Sequence, residues 1–401
     1  MKWMGKQKTG INLHNSCVFA VLLLTTGLHI LSWNSKAFTD WYRLRLFPVL
    51  TGIPARISDL FSGSVGEILI AAGVLVAVLE LFLVPVLAWK TRQGNTHKPD
   101  AKAAGIKKWN LRFACWVLVY IYVTETLNCY MLYHASTVEE QYYSTGGEQG
   151  TELLVRAYSE VVAKANALAG QVKRDAKGRA VFDGTDAQLY EKCRQAMRKQ
   201  GEVYPYLSGY YPDPKPIRAS HFMSQQYLLG IYFPFTMEAN YNTVMYPVNM
   251  PATICHEYSH LKGIILEDEA NYFGFAACIE SDDPYLQYSG YLSVIGYLSR
   301  QVRESVPQEI RKDMEQVSGQ VIQDDVFLTE EQWERVEEKA VLPTETVNKA
   351  ANAFLETNLT MNGVKDGIKS YSRVVRLVLK YYESQDSGGV FQKVHDKIHK
   401  K

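Results

Sequence analysis

His256-Glu257-Tyr258-Ser259-His260 sets two imidazoles four residues apart, with a carboxylate beside the first. On a helix these histidines stand one turn apart on one face, so both can reach a single metal ion. Glu257 then lies where it can take a proton from a water held by that ion. A tetrahedral catalytic zinc uses a third protein ligand and leaves its fourth position to water. The nearest supply is the acidic run that starts at Glu267. The chemistry expected is that of a zinc metallohydrolase, with a peptide bond as substrate. Two surface histidines on a solvated helix are the plainer alternative. The apolar run from Pro251 to Cys255, and Leu261 after it, argue instead for a buried helix. Buried His and Glu without partners are costly, and a metal provides the partner. Cys255 sits about 100° around such a helix from His256 and reads as a small buried hydrophobe.

The elements that must hold this pair follow from the flanking sequence. Pro251 suits the first turn of the HExxH helix, and Gly263 can end it in the left-handed conformation. A second helix is expected from near Ile265 to about Glu280, with Glu267 in its first turn and Asp282-Asp283-Pro284 beyond its end. Upstream, Leu229 to Phe235 and Asn242 to Tyr246 read as short strands joined by a polar linker, Thr236 to Asn240. An exposed strand edge beside an HExxH helix can hold an extended peptide by strand addition, so this hairpin is expected to border the cleft. Tyr204 to Pro216, rich in Tyr and Pro, is a binding loop or a wrap over the core. Helical patterns cover 149–172, 186–200, 285–302, 307–323, 330–341, 343–359 and 363–382. The fold class expected is α+β, mainly α, with a small β-sheet.

The N-terminal third belongs in a bilayer. Three apolar runs, about 13–33, 64–89 and 113–133, are each of spanning length. Between the first two, Trp41, Phe47, Phe61, Pro48 and Pro54 suggest an interfacial or re-entrant stretch. Met1 to Gly10 and the segment from Lys90 to Arg112 are basic, which puts both in the cytoplasm and everything after Tyr133 outside it. The organisation expected is a membrane domain, 1–133, and an extracytoplasmic domain, 134–401. Glu80 and Glu125 fall at membrane depth, either as functional acids or paired with each other or with Thr and Asn neighbours inside a three-helix bundle. The net charge of +1 supplies no field for a nucleic acid. Six cysteines without a CxxC argue against a disulfide-stapled domain.

Glu267-Asp268-Glu269-Ala270-Asn271 resembles the Glu-x-x-Ala-Asn pattern of the CAAX prenyl protease and ImmA/IrrE types of zinc peptidase. That resemblance implies Glu267 as third ligand and Asn271 as partner to a ligand histidine. Only Leu261 to Leu266 separates His260 from Glu267, shorter than in those families, which keeps Glu269 in competition. The full layout is similar to an uncharacterised family of bacterial membrane proteins with N-terminal spans and an HExxH zincin-like domain. The features that carry it are Tyr232-Phe233-Pro234-Phe235-Thr236, Glu238-Ala239-Asn240, Cys255-His256-Glu257, Gly263, Glu267 to Asn271, Asp282, Pro284, Tyr288-Ser289, Gly363-Val364, Ser370-Tyr371 and Val374-Val375.

The mechanism expected is hydrolysis with zinc on His256, His260 and Glu267 and with Glu257 as general base. Tyr371, His221 and Arg373 are candidate donors to the developing oxyanion. Glu238 could hold a substrate amine or lie in a solvated turn. The alternative function is a zinc-binding membrane sensor or assembly module without turnover. Glu257 argues for chemistry, because a purely structural site closes its fourth position with another ligand.

Overall fold

The computed structural model describes residues 13–93, 101–143, 150–363 and 371–385. Helices Leu13–Asn34, Val65–Gln93 and Ala101–Asn128 form the N-terminal part, and each contributes a segment long and apolar enough to cross a membrane. Phe19, Leu24, Leu81, Phe82 and Leu118 point outward along them. So much unburied hydrocarbon marks a membrane protein. The third helix packs against both others. Tyr122 shares a 2.9 Å hydrogen bond with Thr26, and Asn110 donates to the Glu80 carboxylate at 2.7 Å. Glu80 therefore has its partner within the bundle.

This third helix begins at Ala101, a dozen residues before the apolar run suggests. Lys102, Lys107, Lys108 and Arg112 ride on it rather than in a loop, since Ala and Lys are good helix formers. Met1 to Gly10 and residues 94–100 lie outside the described residues.

Between the first two spans come Lys36–Trp41, a π-helical turn Tyr42–Leu46 and helix Phe47–Ser58. The last is two-faced: Phe47, Thr51, Ala55 and Ser58 turn inward, while Val49, Leu50, Ile53 and Ile57 are exposed. Its inner face is not a separate layer. Tyr42 and Phe47 belong to the same buried cluster as Val248, Ile254 and Phe273 of the C-terminal part.

That part is built from helices Thr151–Ala169, Asp186–Val203, Met250–His260, Glu267–Ile279, Pro284–Ser305 and Tyr371–Gln385, around a three-stranded sheet. The sheet holds β1 (Lys215–Ile217), β2 (Gly230–Phe233) and β3 (Glu238–Asn242) in the order β1-β3-β2. β1 runs parallel to β3, and β2 antiparallel. The second strand was expected at Asn242 to Tyr246, but the polar stretch read as a linker is the central strand. Its asparagines turn to neighbouring backbone: Asn240 donates to the Ile231 carbonyl at 3.1 Å and Asn242 to the Leu228 carbonyl at 3.0 Å, while Asn240 Oδ1 is buried without a partner. The turn is tighter than expected, with Met237 in the left-handed region at φ 55°.

Tyr204 to Pro216 wraps the core, with Tyr211 buried and the Pro212 carbonyl accepting from the Tyr258 hydroxyl at 2.8 Å. The helix expected over 307–323 is two short ones, Gln308–Arg311 and Gly319–Asp324, followed by Glu330–Glu338 and Thr344–Met361.

Candidate metal centre

His256 and His260 lie in the last turn and a half of helix Met250–His260, which Pro251 opens in its first turn. Gly263, at φ 80°, turns the chain back sharply. Helix Glu267–Ile279 then starts beside the histidines, with Glu267 as its first residue. His256 Nε2 and His260 Nε2 are 3.0 Å apart. Glu267 Oε2 is 3.3 Å from His256 Nε2, and its Oε1 is 3.7 Å from His260 Nε2. Zinc bonds of about 2.0–2.1 Å in a tetrahedron put ligand atoms about 3.3 Å from one another. The observed triangle brackets that spacing. Among the described residues this is the cluster of His, Cys, Asp and Glu whose donor atoms could share one ion.

The surroundings fix the donors. His260 Nδ1 faces the Ile264 carbonyl at 2.6 Å, which holds the proton on Nδ1 and leaves the Nε2 lone pair for an ion. Asn271, one turn along the second helix, lies close enough to His256 to favour its protonated form. Burial lowers His260 to about 4, against the opposing charge of Glu267, so its ring is neutral. Burial also disfavours ionisation of Glu267, but the hydrogen bond with His256 and the charges of His260 and His256 outweigh it, bringing the carboxyl to about 2. For His256, burial is outweighed by the Glu267 hydrogen bond and by the Glu257 and Glu267 charges, and its pKa rises. A dication between these groups would displace that proton. The cluster has an open side: Glu267 is 45 % accessible, against 16 % for His256 and 8 % for His260.

Glu257 stands beside the cluster, Oε1 4.0 Å from His256 Nε2. Its Oε2 is buried and has no hydrogen-bond partner. Burial, with Glu267 adding and His256 opposing, raises it to about 8. Gly230, the first residue of β2, lies directly against this carboxylate, and a side chain there would collide with Oε1. β2 is thus laid along the HExxH helix, at the edge of the sheet.

The same strand is bolted to the membrane helices. The Phe233 ring packs on Gly66 in the first turn of the second span. Asn128, the last residue of the third helix, donates to the Pro234 carbonyl at 2.7 Å, and its own carbonyl accepts from Tyr232 at 3.2 Å. Glu238 on β3 accepts from the Val65 and Gly66 amides at 2.9 and 2.7 Å and from Thr236 at 2.7 Å. A buried carboxylate thereby caps the second span. Glu67 returns the arrangement, accepting from the Arg218 and Ala219 amides.

Sequence-named residues divide accordingly. His256, His260, Glu267 and Glu257 come together, with Asn271 behind them. Glu269 faces elsewhere: it accepts from the Val138 amide at 2.6 Å, and burial, helped by Asp268, raises it to about 8. Arg373 pairs with Asp268 at 3.2 Å and is not aimed at the cluster. His221 sits on the short helix Ser220–Gln225, which packs against Glu330–Glu338 and Thr344–Met361. Glu238 is neither solvated nor free for an amine. The Tyr371 side chain lies outside the described ones. Cys255 is fully buried against Cys278. Sequence reasoning missed Cys129 and Tyr133, which lie within electrostatic reach of Glu267.

Residues 42–379 match the family model described as "Protein of unknown function (DUF3810)". No curated protein and no solved structure matches the chain. The matched region runs from the π-helical turn through the second and third spans, the sheet and the His-His-Glu cluster into the last helix, and the chain belongs to the DUF3810 family.

Proposed function

We propose that the chain is a membrane-anchored zinc metallopeptidase with a zincin-like site. The observation that carries this is the triangle of His256, His260 and Glu267 donors at 3.0, 3.3 and 3.7 Å, with the unpartnered Glu257 carboxylate beside it. Zinc held by these three residues would supply Lewis-acid polarisation and a more acidic water. Glu257 would accept the proton from the attacking water and deliver it to the leaving amine. Its orphaned oxygen gives it a free position for that transfer, and a purely structural site has no use for such a group. The β2 edge would align an extended substrate beside Glu257.

The orientation belongs to the same proposal. Lys102, Lys107, Lys108 and Arg112 start the third helix at the end away from the cluster, so the positive-inside rule puts the cluster outside the cytoplasm.

The test is an assay of the purified, zinc-loaded protein in nanodiscs on a mixed peptide pool, read by mass spectrometry against Glu257→Gln. New termini with wild type alone support the peptidase. Zinc retained by both proteins with no cleavage by either makes the chain a zinc-binding sensor or assembly module instead.

A further inference from the structure

β2 joins two places that a soluble peptidase keeps apart. Its first residue, Gly230, lies against the Glu257 carboxylate, and its last, Phe233, lies against Gly66 at the start of the second span. Three residues of extended chain cover about 10 Å. The proton-transfer group and the end of a membrane helix are therefore one short strand apart. The second anchor of the strand, through Tyr232 and Pro234 to Asn128, is at the matching end of the third helix. Just along both helices, Ile68, Leu69, Tyr120 and Ile121 are exposed to what must be lipid.

Polar and ionisable groups gather at the end of the third helix. Glu125 lies in its last turn, Cys129 follows the last residue, and Tyr133 belongs to the 3₁₀ turn Tyr130–His134 beyond it. Cys129 and Tyr133 are within electrostatic reach of Glu267, and Glu125 and Cys129 of Tyr232 on β2. Glu125, unlike Glu80, has no hydrogen-bond partner for its carboxylate among the described residues. An ionisable group left without a partner near membrane depth is costly unless it serves a path or a ligand. Glu267 is the accessible member of the cluster, 45 % exposed.

Resting on the peptidase reading above, we infer that the substrate is a membrane-anchored polypeptide, cut in the extended segment within a few residues of where it leaves the bilayer. A chain added to the β2 edge would leave the membrane at the Phe233 end and pass Glu257 about one strand later. A folded domain standing well away from the bilayer could not bring its backbone to that edge, because the spans and the exposed face of Phe47–Ser58 hold the edge close to the lipid.

The experiment uses full-length, zinc-loaded protein in nanodiscs with three probes that share one extended sequence. In the first, the sequence follows a single membrane span directly. In the second, a long flexible linker separates it from the same span, which keeps local concentration comparable. In the third, it is a free peptide. The expected result is cleavage of the first probe within a few residues of the span, with the second and third cut at least about tenfold more slowly. Glu125→Gln should slow the first probe or move its cut. Equal rates on all three, or cuts distributed without regard to the membrane, would overturn the inference and leave the peptidase reading standing. No cleavage of any probe, with wild type equal to Glu257→Gln, would defeat the peptidase reading and this one with it.

Discussion

Two buried polar centres lie in the C-terminal part, and they are finished to different degrees. At Asp324, fully buried, every oxygen is engaged: Arg174 donates to both at 3.1 and 2.8 Å, Tyr246 to one at 2.7 Å and Tyr288 to the other at 2.8 Å. At the His256–His260–Glu267 cluster the donor atoms crowd to within 3.0–3.7 Å of one another, yet Glu257 keeps an orphaned oxygen and Glu267 faces the open. Native interiors satisfy their buried polar atoms, so an unfinished centre points to something it is built to receive. Asp324 reads as a clamp between Gly319–Asp324, the chain before β1 and helix Pro284–Ser305. The cluster reads as a workplace.

Neutralising one carboxylate in each centre tests that contrast most sharply. Glu257→Gln should lower turnover by about 10²- to 10⁴-fold while zinc content and Tm stay at the wild-type level, since the change removes a charge that burial already disfavours. A fall in Tm with unchanged turnover would reverse the two roles. Asp324→Asn should do the opposite. Breaking a buried ion pair costs about 3–5 kcal/mol, and a Tm drop on the order of 10 °C follows. Burial opposes ionisation of Asp324, but the Arg174, Tyr246 and Tyr288 hydrogen bonds hold its pKa below the ordinary carboxylate value. Its contribution is therefore present above an unfolded-state pKa of about 3.9 and is lost as pH falls through the lower folded value. The wild type should lose stability in that acid window, and Asp324→Asn should lose less of it; identical acid profiles by thermal melts would remove Asp324 from the account.

The two centres were not equally legible in the sequence. His256 and His260 announce themselves because a spacing of four is one helical turn. Glu267 and Glu269 could not be separated by composition, but two residues on a helix are about 200° apart, so only one can face the histidines. The helix start at Glu267 decides it, and Glu269 turns to Val138. Asp324 gave no signal, because its Tyr and Arg partners lie 36 to 150 residues away. The same holds for the joint between sheet and spans, where Glu238 meets the Val65 amide across 173 positions. Its polar strand Glu238–Asn242 looked solvated because its partners are in parts of the chain that local pattern does not reach. The three spans needed no partner to be recognised, since length and hydropathy suffice.

Smaller changes separate the cluster from its supports. Asn271→Ala leaves all three ligands in place but frees His256 to turn, and partners of metal-bound histidines are worth about 10- to 100-fold in affinity. Competition with a chromophoric chelator should show zinc affinity falling by that factor, with Tm of the zinc-free protein little changed. Unaltered affinity would mean that Asn271 only packs. The Glu238 joint should give the smallest effect on stability. Gln at that position keeps one acceptor for Val65 or Gly66 and loses the charge facing the helix N-terminus, at a cost of about 1–2 kcal/mol. Zinc affinity should not move, because Glu238 makes no contact with a ligand residue. What should move is the β2 edge relative to the second span, so turnover of a membrane-anchored probe should fall by several-fold while that of a free peptide is little affected. An equal loss on both probes would mean that Glu238 supports the fold generally, and that the joint between sheet and spans has no part in presenting substrate.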